Sequence, residues 1–171
     1  MVMTPPTHPT VASQDVPMSE FVVDDALDVL TTDSLGPCIA IGVRHGEWLA
    51  LLHQFGPSQG APEFEVFFQK LDELVPLESR SGLRPVVAGG KLDFEHDGED
   101  ACVNAVTVED RAWVLRELQR LGFGEPHACW GDTDSRCQVV RLDKTTSTAV
   151  VTTEGWDGRL MASFTVPPPP G

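Results

Sequence analysis

The chain has 171 residues, 41% of them hydrophobic, which suits one globular domain with a real core. Its 26 acidic against 12 basic residues give a formal net charge of -14. Such a surface repels phosphate backbones and anionic headgroups, which argues against nucleic acid and membrane partners and favours a neutral or basic protein surface.

Residues 1–17 are rich in Pro, Thr and Ser, with neither a basic start nor an apolar stretch, and read as a flexible tail rather than a secretory signal. A single domain is expected over 18–166, followed by the Pro-rich tail 167–171. No apolar run reaches the length of a membrane span. The cytoplasm is therefore the expected compartment, where Cys38, Cys102, Cys129 and Cys137 are free thiols. None of them has a CxxC partner or a histidine at zinc spacing, so no metal and no cofactor is expected.

In chain order, Phe21 to Leu30 carries mixed strand and helix signals. Cys38 to Val43 and Trp48 to His53 read as strands around the turn Arg44-His45-Gly46-Glu47. Glu63 to Val75 sets Phe64, Phe67, Phe68, Leu71 and Leu74 on one helical face, and Pro76 stops it. Arg84 to Ala88 reads as a strand ending in Gly89-Gly90. Asp93 to Asp100, with His96, reads as a solvated acidic loop and Ala101 to Val106 as a strand. Thr107 reads as the N-cap of a second helix that ends at Leu121-Gly122. Cys137 to Leu142 and Thr148 to Thr153 form a hairpin, and Leu160 to Val166 a last strand. The class expected is α+β, a sandwich-like β-sheet core with two amphipathic helices packed on it.

The first hairpin carries the chemistry. With His45-Gly46 as the central residues of its turn, Arg44 faces Glu47, Ile41 faces Ala50, Ile39 faces Leu52 and Cys38 faces His53. Opposed residues share a face with Cβ atoms roughly 4.5–5.5 Å apart, near enough for a thiol–imidazole hydrogen bond. An imidazolium beside a thiol lowers its pKa and yields the thiolate nucleophile. The same register also describes two ordinary core residues, since free cysteines are commonly buried.

The segment Thr32-Asp33-Ser34-Leu35-Gly36-Pro37-Cys38 resembles the Thr-Leu-Gly-Leu-Gly-Ser-Cys signature of the chemoreceptor glutamine deamidases, the CheD family. His53-Gln54-Phe55-Gly56-Pro57-Ser58 is similar to the family's His-Phe-x-Leu-Pro-Ser, and Val86 to Gly90 to its strand ending in Phe-Gly-Gly. Gly131 to Val140 resembles its Gly-rich loop and final hairpin. Pro37 stands where the family has serine, Gln54 interrupts its His-Phe pair, and the Cys-to-His interval is shorter. The thiol–imidazole core is also similar to that of toxins related to cytotoxic necrotizing factor.

The resemblance implies a CheD-like fold and a protein-glutamine deamidase with Cys38 as nucleophile, His53 as base and Thr32 orienting His53. It also implies that Gly36, Gly89 and Gly90 bring backbone up to the substrate. The partner implied is a glutamine-bearing protein, a chemoreceptor or, for an effector delivered into a host cell, a host protein; a phosphatase partner is a further implication. A non-catalytic module that docks a signalling partner on the same fold is the competing expectation.

Overall fold

The computed structural model describes residues 10–93 and 99–166. Residues 1–9, 94–98 and 167–171, and with them His96 and the C-terminal tail reading, lie outside the described residues. The chain forms strands β1 (Ser13–Asp15), β2 (Glu20–Asp24), β3 (Val29–Leu35), β4 (Ile39–His45) and β5 (Trp48–Gln54), then a 3-10 turn at Pro57–Gln59. Helices α1 (Pro62–Leu74) and α2 (Leu77–Arg80), strand β6 (Val86–Gly89) and helix α3 (Glu99–Arg120) follow. Strands β7 (His127–Trp130), β8 (Ser135–Asp143), β9 (Thr148–Gly155) and β10 (Leu160–Val166) complete the fold. The architecture is α+β, with two five-stranded sheets ordered β1-β3-β8-β9-β10 and β2-β5-β4-β6-β7. Among the described residues no helix is long and apolar enough to cross a membrane.

Two apolar layers explain why β4 and β5 read as unbroken apolar runs. Ile39, Ile41, Val43, Ala50 and Leu52 face the helices, where Phe64, Phe67, Phe68 and Leu71 of α1 meet Val114 and Leu118 of α3. Ala40, Leu49, Leu51, Val86 and Ala88 face the other sheet, against Leu30, Leu35, Val140, Leu142 and Val151. A sheet covered on both sides has no polar alternation to display. Aromatic edges lock the helical layer, with Phe64 against Trp113 at 5.5 Å and Phe21 against Phe67 at 5.8 Å.

Several expectations change. Ser13–Asp15, read as tail, pairs in parallel with Val29–Thr31 because Val16 behind it is an apolar anchor, 1% exposed. Ala101 to Val106, read as a strand, lies inside α3, which begins at Glu99. Thr107 is therefore not an N-cap; its hydroxyl donates to the Val103 carbonyl one turn back at 2.9 Å.

The hairpin register also differs. His45 pairs with Trp48, Ile41 with Leu52, Ile39 with Gln54 and Ala40 with His53. The central turn residues are Gly46-Glu47, and Gly46 takes the positive φ, 56°, at the first central position. Cys38 is thus not directly opposite His53, and Arg44 faces Leu49 rather than Glu47. The partners move by two residues, so the faces are kept. His53 shares a face with Ala40, and Cys38, two residues before Ala40, becomes its diagonal neighbour on that face.

Candidate functional site

Polar side chains collect at one end of the layer between the sheets. Thr32, Cys38, His53 and Gln138 are all buried there, Cys38 at 7% and His53 at 4% exposure. A bulge makes the arrangement possible. Thr32 pairs with Val140 and Leu35 with Gln138, so β3 has one residue more than β8 over this interval. The extra residue is absorbed at Asp33-Ser34, where Ser34 has φ 56°. Without the bulge Thr32 and Leu35 would point to opposite faces; with it both point inward.

The Thr32 hydroxyl places a proton on His53 Nδ1. Its oxygen lies 2.6 Å from the Val16 carbonyl and 2.8 Å from His53 Nδ1. A carbonyl can only accept, so the single hydroxyl proton goes to Val16, and Thr32 Oγ1 must accept from Nδ1–H. In the neutral imidazole this leaves Nε2 unprotonated. Among the described residues Nε2 is buried and has no hydrogen-bond partner. A lone pair on a buried ring nitrogen, on the face shared with a cysteine, is the arrangement of a general base.

The thiolate–imidazolium pair expected from sequence meets opposition from burial at both residues. Burial pushes the Cys38 thiol up, against a smaller downward pull from its own backbone N–H. Burial pushes His53 down, opposed by Asp33, the Val16 carbonyl and Asp15. Desolvation disfavours both charged forms and so works against a resting thiolate–imidazolium pair.

Gly36, Gly89 and Gly90 do come together around Cys38. The link from β3 to β4 is pinned at both ends, Lys91 N–H to the Gly36 carbonyl at 2.9 Å and Gly90 N–H to the Cys38 carbonyl at 2.8 Å. A Cβ at position 89 would fall 2.0 Å from the Cys38 carbonyl oxygen, so only glycine fits there. The Gly89 N–H is taken by Gln138 Oε1 at 2.8 Å. In this state both N–H groups of Gly89-Gly90 are occupied within the protein.

Four participants were missed in the sequence. Val16 sits in the segment read as tail. Gln138 occupies an inward position of β8, in line with Val140 and Leu142, where the alternation calls for an apolar residue; that mismatch was its signal. Arg111 of α3 donates to the Gly90 carbonyl at 2.7 Å and stacks over Trp130 at 5.2 Å, which fixes the loop behind Cys38. Its neighbour Asp110 holds both the N–H and the hydroxyl of Ser58, in the turn that follows His53. Among the described residues no group of three or more His, Cys, Asp or Glu side chains converges as a metal centre does.

No family model matches the chain, and no curated protein matches it.

Proposed function

We propose that the chain is a cysteine-dependent amide hydrolase acting on glutamine side chains of a protein, with Cys38 as nucleophile, His53 as base and Thr32 as the residue that orients His53. The observation that carries the reading is the fixed tautomer of His53, whose unpaired Nε2 lies on the face it shares with Cys38. From a neutral pair, Nε2 takes the thiol proton as sulfur attacks the carboxamide carbon. The imidazolium, still donating through Nδ1 to Thr32, then gives that proton to the departing ammonia. Water, deprotonated by the same nitrogen, cleaves the thioester and leaves glutamate. The choice of protein glutamine as the amide rests on the likeness of Thr32 to Cys38 and His53 to Ser58 to the chemoreceptor deamidases. A chemoreceptor and a host protein remain the two substrate classes of that proposal.

The test is release of ammonia from an unfolded glutamine-rich protein, with mass spectrometry of its peptides for the glutamine-to-glutamate change. Activity lost in Cys38→Ala and His53→Ala supports the reading, and equal ammonia from all three proteins removes it. The burial of Cys38 and the upward push on its thiol favour a second reading, a non-catalytic docking module. That reading gains if no ammonia is released while partner binding survives Cys38→Ala.

A further inference from the structure

A cleft of about 490 Å³ opens where the two sheets part, between β7, the last strand of one sheet, and β10, the last of the other. It is lined by Cys129, Trp130, Gln138, Thr153, Ala162 and Phe164, among others. Two rows of residues run from it into the protein. Across one sheet, paired neighbours read Cys129, Ala88, Ala40, His53. Across the other they read Ala162, Thr153, Gln138, Leu35. Alanines thus pave the sheet from the cleft to the imidazole, and the long side chain reaching across the gap between the rows is that of Gln138.

Gln138 is itself a carboxamide, 3% exposed, with both ends satisfied. Its Oε1 accepts from the Gly89 N–H at 2.8 Å and its Nε2 donates to Thr153 Oγ1 at 3.0 Å. One backbone donor and one hydroxyl acceptor are therefore set at the spacing a carboxamide needs. Strand edges flank the opening on both sides and suit an extended segment, which can hydrogen-bond along them while one side chain points inward.

We propose that this cleft is the way in to Cys38, that its ligand is the carboxamide side chain of an extended polypeptide segment, and that Gln138 is the plug that holds the carboxamide's place against Gly89 and Thr153. The inference rests on the hydrolase reading for the identity of the ligand, but the route itself can be tested without catalysis. The probe is iodoacetamide, itself a small carboxamide, with the alkylation rate of each cysteine followed by peptide mapping. Exposed Cys102 serves as the internal reference.

Gln138→Ala should raise the Cys38 rate at least tenfold over that of Cys102. Ala162→Trp, which fills the cleft from an exposed position opposite Thr153, should lower it at least fivefold. Should Gln138→Ala speed Cys137, which does not line the cleft, equally, general loosening explains its effect and Ala162→Trp decides. An unchanged Cys38 rate in Ala162→Trp overturns the route. If both shifts occur while no ammonia is ever released from protein glutamine, the route stands and the hydrolase reading falls.

Discussion

Replacing Thr32 by Val removes one hydroxyl while keeping the shape of the side chain, so its consequences isolate the hydrogen bonds at the centre of the site. Thr32 is fully buried, and its hydroxyl is shared by the Val16 carbonyl at 2.6 Å and His53 Nδ1 at 2.8 Å. In the variant both partners face a methyl group. Each buried group left unpaired costs about 1–3 kcal/mol, so the loss should reach about 2–6 kcal/mol. Moving the imidazole proton to Nε2 offers no escape, because Nδ1 then presents a lone pair to the same methyl. With a urea slope of roughly 2 kcal/mol per molar, the unfolding midpoint should fall by roughly 1–3 M, followed through the four tryptophans. Under folding conditions, ammonia release should drop about a hundredfold, since neither tautomer nor ring orientation is fixed any longer. Thr32→Ser keeps the hydroxyl and loses only a methyl, and should cost about 1 kcal/mol with activity largely retained. If Val and Ser variants prove equally stable and equally active, the hydroxyl does not hold His53 and the derivation of its tautomer is wrong.

The other predictions concern pH, backbone and packing. Because burial lowers His53 below its ordinary 6.5, the unfolded chain takes up that proton first, so this contribution to stability is present above pH 6.5 and lost as pH falls through the folded value. The Cys38 thiol, raised from 9.0, contributes stability below pH 9 that is lost as pH rises through its folded value. Melting temperatures of the unaltered chain and His53→Gln should therefore converge on acidification, and parallel curves would contradict the lowered value. Gly89→Ala combines φ 83° with a clash against the Cys38 carbonyl and should cost about 3–5 kcal/mol, whereas Gly46→Ala, with φ 56° and open space, should cost about 1–2 kcal/mol by chemical denaturation. Buried Arg80 donates to the carbonyls of Val75, Leu121 and Asp72, tying the end of α1 to the end of α3. Arg80→Met should cost about 3–5 kcal/mol, and a midpoint within error of the unaltered chain would show those carbonyls to be satisfied otherwise.

What the sequence disclosed follows from the period of each element. The stripe of α1 repeats over three turns and depends on no neighbour, so its limits are legible within one residue. Ala101 to Val106 is too short for a period to emerge, and its valines suit a strand; only the continuous helical hydrogen bonding through Thr107 to Arg120 recruits it into α3. Strand β1 is three residues long and exists because Val16 finds a buried place, a tertiary effect without local signature. The bulge at Asp33-Ser34 is likewise invisible, since it is demanded by the partner strand β8 and not by β3 itself. It decides whether Thr32 faces His53.

The misplaced turn shows which errors a functional reading can survive. Placing glycine at the second rather than the first central position of the β4–β5 turn exchanges every cross-strand partner, yet it moves them by two residues and so keeps each side chain on its side of the sheet. A slip of one would have been fatal. It would put His53 among Ala50 and Leu52 in the layer under α1, out of reach of Thr32 on the opposite sheet, and Cys38 would face a different core from its proposed base. The catalytic reading therefore depends less on the separation of sulfur and nitrogen along the hairpin than on parity: odd-numbered His53 with even-numbered Ala40 and Cys38 between the sheets, and even-numbered Leu52 with odd-numbered Ile39 and Ile41 beneath the helices. Inserting one residue between His45 and Trp48 should therefore lengthen the turn and leave the Ala40–His53 pairing in place, because burial of two apolar faces holds the register. Amide hydrogen exchange along β4 and β5 checks it, and a loss of protection through both strands would show that the turn sets the alignment.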